Sequence, residues 1–303
     1  MTVKTPLVAV LAIVLFVVAA CSSGGSSASA AASVASAAPS APTSAAPSAS
    51  ASSAASASAA AGTTNLTVLA ASSLKAAMAK ATTAYTAANP GVIFTVSTDA
   101  SSALETQIEQ GAPSDLFLSA DTTNPKKLSD KGLTAGPPQD FAGNLLAVIV
   151  PASNPADIQT PADLAKTGVK VIAAGDAVPI TKYANVLVAN LAKQPGYPAD
   201  FVAEYDANIV SKEDNVGAVV AKIATGNGDA AICYVTDAKT AGDKVKTNPP
   251  TIPTDADVPA TYAGVVIKAS SNVDAANGFM TWLIGPDGQA IFASFGFLPP
   301  PAS

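Results

Sequence analysis

The chain has 303 residues, a net charge of −6 at pH 7 and no histidine. Because this acidic balance comes without a basic cluster, we expect no binding to nucleic acid or to an anionic membrane surface. Two cysteines, Cys21 and Cys233, and the lack of histidine argue against a zinc or copper site, so no metal-ion ligands are expected.

The first 21 residues are typical of an export signal. Lys4 precedes an uncharged apolar run from Pro6 to Ala20, which is too short for a typical membrane-spanning helix. The run ends in Val-Ala-Ala-Cys at residues 18–21, which resembles the bacterial lipobox, where the cysteine is lipidated and becomes the mature N-terminus. The alternative is an ordinary cleaved signal with a chance cysteine at position 21. The lipobox predicts a protein that is anchored through Cys21 to the outer face of the cell membrane.

Residues 22–63 consist almost entirely of Ser, Ala, Pro, Gly and Thr. Such a composition offers too little apolar surface to offset the entropy of folding, so a disordered tether is predicted. The rest of the chain, residues 64–303, is long enough for one large or two modest cores.

Beyond the tether, strand-like runs alternate with helix-like ones, which predicts an α/β fold with a largely parallel sheet. The candidate strands cover residues 66–71, 92–98, 115–120, 145–151, 169–175, 230–236 and 262–269. Ligands in such folds gather at the carboxyl ends of the strands, where the next helix begins.

Two serine pairs occupy such positions, Ser72–Ser73 and Ser101–Ser102. A helix N-terminus presents free N–H groups and the positive end of the helix dipole, so it can bind an anion, and a serine there adds a hydroxyl donor. The alternative is that these serines only cap their helices; Ser102 with Glu105 matches a capping box.

Two further helix starts have the same character. Pro179, preceded by Asp176, suits a first helical turn, and Asp214 or Asn215 can cap a helix that starts at Val216. Tyr234 lies on the candidate strand 230–236, where its default interpretation is a half-buried aromatic side chain.

An enzymatic interpretation rests on three short patterns that are typical of serine acyl-enzymes. They are Ser72-x-x-Lys75, Lys166-Thr167-Gly168 and Tyr183-x-Asn185. In penicillin-binding proteins and β-lactamases the lysine helps to activate the serine nucleophile. Here the last two patterns occur in the reverse of the usual order, so we expect no enzymatic activity.

Longer segments resemble the extracytoplasmic molybdate-binding proteins of ABC importers. The similarity runs from about Leu66 to Phe297, and "QIEQGAPSDLFLSAD" at residues 107–121 is its most specific part. The other segments are "TVLAASSL", "ASSALE", "GDAVPITKYA", "EDNVGAVVAKI", "AAICYVTDA" and "FMTWLIGPDGQAIFASFGF".

The resemblance implies an oxyanion site that is built from neutral donors. Ser73 and Ser101 would supply side-chain and backbone donors, Ile180 and Val216 backbone N–H groups, and Tyr234 its phenol hydroxyl. The sequence departs from the family at Ile180 and Thr181, where a small residue followed by glycine is usual. No cofactor is implied.

The resemblance also implies a bilobal periplasmic-binding-protein fold of the class II type, with two α/β lobes joined by two crossing strands. The chain would leave the first lobe near Leu145–Pro151 and return near Tyr262–Lys268, giving lobes of about 64–145 plus 265–303 and about 146–264. The implied function is that of a monomeric receptor delivering molybdate or tungstate to an ABC transporter permease. A receptor for another tetrahedral oxyanion, such as sulfate or phosphate, is the alternative.

Overall fold

The computed structural model of the protein describes residues 62–301. The predicted signal peptide, Cys21 and all of the predicted tether except Gly62 and Thr63 lie outside this range. The strands are β1 (Thr64–Ala71), β2 (Val92–Asp99), β3 (Leu116–Ser119), β4 (Gln139–Asn144), β5 (Leu146–Pro151), β6 (Val171–Ala174), β7 (Ile209–Glu213), β8 (Ala230–Tyr234), β9 (Val245–Lys246) and β10 (Ala260–Val266). The α-helices are α1 (Lys75–Ala88), α2 (Ser101–Glu109), α3 (Thr123–Asp130), α4 (Pro179–Leu191), α5 (Phe201–Ala207), α6 (Val216–Ala224), α7 (Val235–Ala241), α8 (Val273–Ile284) and α9 (Pro286–Phe295).

The strands form two five-stranded sheets, one in each lobe. Their orders are β2-β1-β3-β10-β4 in the first lobe and β7-β6-β8-β5-β9 in the second. In each sheet the first two neighbouring pairs are parallel and the last two are antiparallel. The α/β bilobal prediction is confirmed, but the expectation of largely parallel sheets is wrong, because both sheets are mixed.

The chain crosses between the sheets twice. β4 ends at Asn144 and β5 begins at Leu146, so Leu145 alone separates the two sheets at the first crossing. At the second crossing the chain leaves β9 and enters β10 at Ala260. Because β10 pairs with β3 and β4 from Ala260 onward, the chain is back in the first lobe by Ala260 rather than at residue 265, slightly earlier than the predicted return near Tyr262–Lys268.

The sequence analysis did not predict three of the strands, and the sequence of each lacks a pronounced run of apolar residues. β4 reads Gln-Asp-Phe-Ala-Gly-Asn, β7 is a five-residue edge strand with an alternating exposure pattern, and β9 has only two residues. Their pairing depends on neighbouring strands that are distant in the sequence, and local propensity does not report such neighbours.

The first sheet is covered on both faces, which follows from the alternation of side chains along a strand. Leu69, Phe117 and Val265 pack with residues of α2 and α3 on one face. On the other face, Val68 and Leu118 belong to the main core with Met78 of α1 and Phe279 of α8. This double cover holds the carboxyl ends of β1, β2 and β3 at a fixed edge of the sheet.

Within residues 62–301, no helix combines the length and the apolar character that crossing a membrane requires.

Asp237, in the first turn of α7, is a half-buried acid with one enclosed carboxylate oxygen. Its Oδ2 atom is enclosed and has no hydrogen-bond partner among the described residues. Removal from water raises the pKa of its carboxyl group to about 7. The native state therefore binds a proton that the unfolded state has already released between about pH 4 and pH 7. Over that range, this group lowers the free energy of unfolding as the pH rises.

We predict that Asp237→Asn stabilises the protein at high pH. At pH 8 the free energy of unfolding should rise by about 1–3 kcal/mol, because a neutral amide replaces a carboxylate that has one enclosed oxygen without a partner. At pH 4 the gain should vanish. Urea unfolding across this range, with the exposed Asp243→Asn as the matched control, measures the difference. A variant and a wild type with parallel pH profiles would contradict the assignment.

Candidate functional site

The starts of several helices meet the end of strand β8 at a small cavity between the lobes. The cavity has a volume of about 10 Å³, which is roughly the free space that one water molecule requires. The structure places all the predicted site residues on its lining, namely Ser73, Ser101, Ile180, Val216 and Tyr234. A larger groove of about 660 Å³ lies in the second lobe and includes Ile180 but none of Ser73, Ser101 and Tyr234.

Ser101 is the first residue of α2 and is 1% exposed. Its Oγ accepts a hydrogen bond from the backbone N–H of Ala120, the residue that follows β3, at 3.0 Å. Because a backbone N–H can only donate, the serine must be the acceptor in this bond. The hydroxyl proton of Ser101 is therefore left for a different partner.

Ser73 lies in a short 3₁₀ turn between β1 and α1 and is buried. Its Oγ is 2.9 Å from the hydroxyl of Tyr262 on β10. The Tyr262 hydroxyl is 3.2 Å from Nδ2 of Asn144, the last residue of β4. Both Tyr262 and Asn144 are fully buried. Ser73 is thus tied to the residue next to the first crossing between the lobes.

The second lobe contributes two helix starts. α4 begins with Pro179, as predicted, so Ile180 lies in its first turn, and Thr181 donates a hydrogen bond to the carbonyl of Ala174 at 3.0 Å. α6 begins at Val216, and the predicted cap is Asn215, whose side chain accepts from the N–H of Ala218 at 3.0 Å. First-turn N–H groups have no acceptor inside their own helix, so both starts offer donors to the cavity.

Tyr234 completes the lining at the last residue of β8. It is 1% exposed rather than half-buried, and its hydroxyl has no partner within residues 62–301. Burial, followed by the proximity of Tyr262 and Tyr183, raises the pKa of this phenol well above its ordinary value. The group therefore stays protonated and can donate a hydrogen bond.

None of the described residues that line the cavity is positively charged, and the sequence contains no arginine. Among these described lining residues the charged one is Asp99, whose Oδ1 accepts from the N–H of Ala100 at 2.8 Å and from Nδ2 of Asn215 at 2.9 Å. The bond to Asn215 joins the two lobes. On another part of the interface, Lys182 of α4 reaches the buried carboxylate of Asp121 at 3.2 Å. These contacts hold the lobes together around the cavity.

The capping alternative is wrong for both serine pairs. The N-terminal cap of α2 is Ala100, and no side chain caps that helix or the turn that contains Ser73. Glu105 is not part of a capping box but approaches Lys127 at 3.5 Å. The two serine hydroxyls are directed to partners distant in the sequence instead.

The acyl-enzyme patterns have ordinary structural explanations. Lys75 is exposed, Lys166 forms an ion pair with Asp163 at 3.0 Å, and the Tyr183 hydroxyl lies 3.5 Å from the carbonyl of Thr261. Within the described residues, no group of three or more His, Cys, Asp or Glu side chains is placed to hold a metal ion.

Sequence reasoning missed Tyr262, Asn144 and Asp99. Tyr262 lies 189 positions along the sequence from its partner Ser73, and it lies 118 positions from its other partner, Asn144. No local pattern carries such a contact. Asp99 precedes a predicted site serine by two positions, and that adjacency was the one signal available.

Comparison with known proteins identifies the family to which the chain is similar. The family model for the bacterial extracellular solute-binding protein matches residues 66–298. The chain is 32% identical to the molybdate-binding protein ModA of Mycobacterium tuberculosis H37Rv. The aligned 236 residues cover 78% of this chain and 85% of the relative.

Two solved structures share the fold. The periplasmic molybdate-binding protein of Azotobacter vinelandii is 24% identical with a TM-score of 0.65, covering 78% of this chain and 100% of the other. The sulfate-binding protein SubI of Mycobacterium tuberculosis H37Rv is 23% identical with a TM-score of 0.67, covering 78% and 87%. These proteins are solute-binding receptors and not enzymes, as the sequence predicted. The chain belongs to the bacterial extracellular solute-binding protein family.

Proposed function

We propose that this protein is an extracytoplasmic receptor that binds molybdate or tungstate and delivers it to an ABC transporter permease. The ligand would occupy the interlobe cavity, which would have to widen beyond its volume of about 10 Å³ to hold a tetrahedral oxyanion. The observation that carries the proposal is the Tyr234 hydroxyl, which is buried, protonated and without a partner on the cavity lining. A relative at 32% identity that is named for molybdate binding supports the choice of ligand.

Neutral donors suit this chemistry. A bound dianion would receive hydrogen bonds from the hydroxyls of Ser73, Ser101 and Tyr234 and from the first-turn N–H groups of α4 and α6. Hydrogen bonds to a charged acceptor are stronger than those between neutral groups. Such a site needs no buried lysine, whose own charge would have to be desolvated.

Donors from both lobes make binding and closure one process. Ser73 and Ser101 belong to the first lobe, whereas Ile180, Val216 and Tyr234 belong to the second. The full donor set exists only when the lobes are together, so a ligand that uses it favours the closed conformation. A permease that pulls the lobes apart would release the ligand, because it would halve the donor set.

Tyr234→Phe removes the hydroxyl and keeps the ring. Affinity for molybdate should fall by about tenfold to a hundredfold, the worth of one hydrogen bond to a charged group. The ligand-free protein should be at least as stable as the wild type, because an unpartnered buried hydroxyl is removed. Calorimetric titration and thermal unfolding measure the two effects.

Ser101→Ala serves as the contrasting variant. It should weaken molybdate binding by a similar factor and also lower the stability, because the N–H of Ala120 loses its acceptor. Lys75→Ala should leave affinity unchanged. The wild type should be titrated with molybdate, tungstate, sulfate and phosphate in parallel. Preferred binding of sulfate or phosphate would replace the ligand assignment, and normal molybdate binding by Tyr234→Phe would refute the site.

We further propose that Cys21 carries a lipid that anchors the receptor, with residues 22–63 as the tether. Cys21→Ser should move the protein out of the membrane fraction and leave molybdate affinity intact, because the anchor lies outside the domain that holds the site. Cys233→Ala is the matched control, since it removes the other cysteine and keeps position 21. Fractionation followed by immunoblotting gives the result. Retention of Cys21→Ser in the membrane fraction would contradict the anchor.

A further inference from the structure

Behind Ser73 lies a chain of three buried hydrogen-bonding side chains whose direction can be worked out. Asn144, Tyr262 and Ser73 are connected by contacts of 3.2 and 2.9 Å. Neither Asn144 nor Tyr262 lines the cavity. Asn144 and Tyr262 together determine the direction of the hydroxyl proton of Ser73.

The orientation of the Asn144 amide is fixed from the backbone. Its Oδ1 accepts the N–H of Leu145 at 3.0 Å, and a backbone N–H can only donate. The amide nitrogen therefore faces the opposite way, where Thr236 Oγ1 lies at 2.9 Å and the Tyr262 hydroxyl at 3.2 Å. The two amide protons are used on these two oxygens.

The orientation of the Asn144 amide determines the direction of the hydrogen bond that Tyr262 makes to Ser73. Because its hydroxyl oxygen accepts a proton from Asn144, its own proton is free for Ser73 Oγ at 2.9 Å. Burial raises the pKa of the Tyr262 phenol well above its ordinary value, so the proton is retained. Ser73 is thus the acceptor in this bond, and its own proton is left for the cavity that it lines.

We propose that Asn144 and Tyr262 are positioning residues that fix Ser73 as a hydrogen-bond donor toward the ligand, and thereby select fully deprotonated oxyanions over protonated ones. The inference rests on the proposed function and deepens it. Molybdate, tungstate and sulfate carry no proton near neutral pH, whereas phosphate carries at least one. A P–OH group that faces Ser73, held as a donor, meets a second proton and no acceptor there, which costs affinity. The carboxylate in the lining, that of Asp99, already accepts two hydrogen bonds through its Oδ1, from Ala100 and Asn215.

Asn144 links these three hydrogen-bonded side chains to the first crossing between the lobes. It is the last residue of β4, next to the first crossing, and its second amide proton goes to Thr236 on α7 of the second lobe. The bond from Asn144 to Thr236 thus spans the two lobes. The residue that orients the donor at Ser73 is held by the contact between the lobes.

Tyr262→Phe tests the proposal by removing the link and keeping the aromatic packing with Phe141 and Phe297. Ser73 would then be free to donate or to accept. Molybdate affinity should fall by about threefold to tenfold, and affinity for phosphate relative to molybdate should rise by about tenfold. Competition titrations with molybdate, sulfate and phosphate at pH 7 give these ratios.

Asn144→Asp reverses the chain instead of cutting it. The new carboxylate accepts the proton of Tyr262, so Tyr262 becomes an acceptor for Ser73 and the Ser73 proton turns away from the cavity. Molybdate affinity should fall further than in Tyr262→Phe, again with a relative gain for phosphate. Should this variant fail to fold, Tyr262→Phe alone decides.

Tyr183→Phe is the matched control, because it removes a neighbouring phenol hydroxyl that does not reach Ser73. Its affinities and their ratio should equal those of the wild type. A Tyr262→Phe protein whose phosphate-to-molybdate ratio equals that of the wild type would overturn this inference alone. A wild-type protein that binds no deprotonated oxyanion would overturn the proposed function and the inference together.

Discussion

A buried hydroxyl without a hydrogen-bond partner costs about 1–3 kcal/mol, and Tyr234 carries such a hydroxyl at the meeting point of the two lobes. Other groups that line the cavity between the lobes are also hydrogen-bond donors. Ser101 is held as an acceptor for Ala120, which frees its proton, and the first turns of α4 and α6 face the same cavity. The lining is therefore rich in donors whose natural partner is an acceptor with several oxygen atoms.

The fold supplies this lining because each lobe repeats one arrangement of strands. In both sheets, two parallel pairs are followed by two antiparallel pairs, and helices follow the strands. The carboxyl ends of parallel strands lie at one edge, so helix starts collect there. Two such edges facing each other bring donors from distant parts of the chain to one point, and at the first crossing a single residue, Leu145, joins the two sheets.

How far the sequence predicts this structure depends on the range of the interaction. Strand and helix alternation, the start of α4 at Pro179 and the cap at Asn215 are local features, and their patterns predicted them. The family resemblance named five of the residues that line the cavity, Ser73, Ser101, Ile180, Val216 and Tyr234. The mixed direction of the sheets, strands β4, β7 and β9, and the contacts of Ser73 with Tyr262 and Asn144 depend on neighbours far along the chain. Local patterns therefore could not predict them.

The capping hypothesis for the serines shows the same limit. Ser102 and Glu105 have the spacing of a capping box, yet the cap of the helix is Ala100, two residues before Ser102, and Ser101 is its first residue. The packing of α2 against β3 decides the matter, because it brings the N–H of Ala120 to Ser101. A tertiary contact thus overrides a local motif at the residue that matters for the site.

The most direct test of the account is to locate bound molybdenum. Crystals grown with molybdate and measured near the molybdenum absorption edge should show an anomalous peak in the cavity, about 4 Å from the hydroxyl oxygens of Tyr234 and Ser101, as two successive bonds through an oxyanion oxygen require. A strong peak elsewhere, for example beside the exposed Lys75, with none in the cavity, would contradict the claim that neutral donors between the lobes hold the anion.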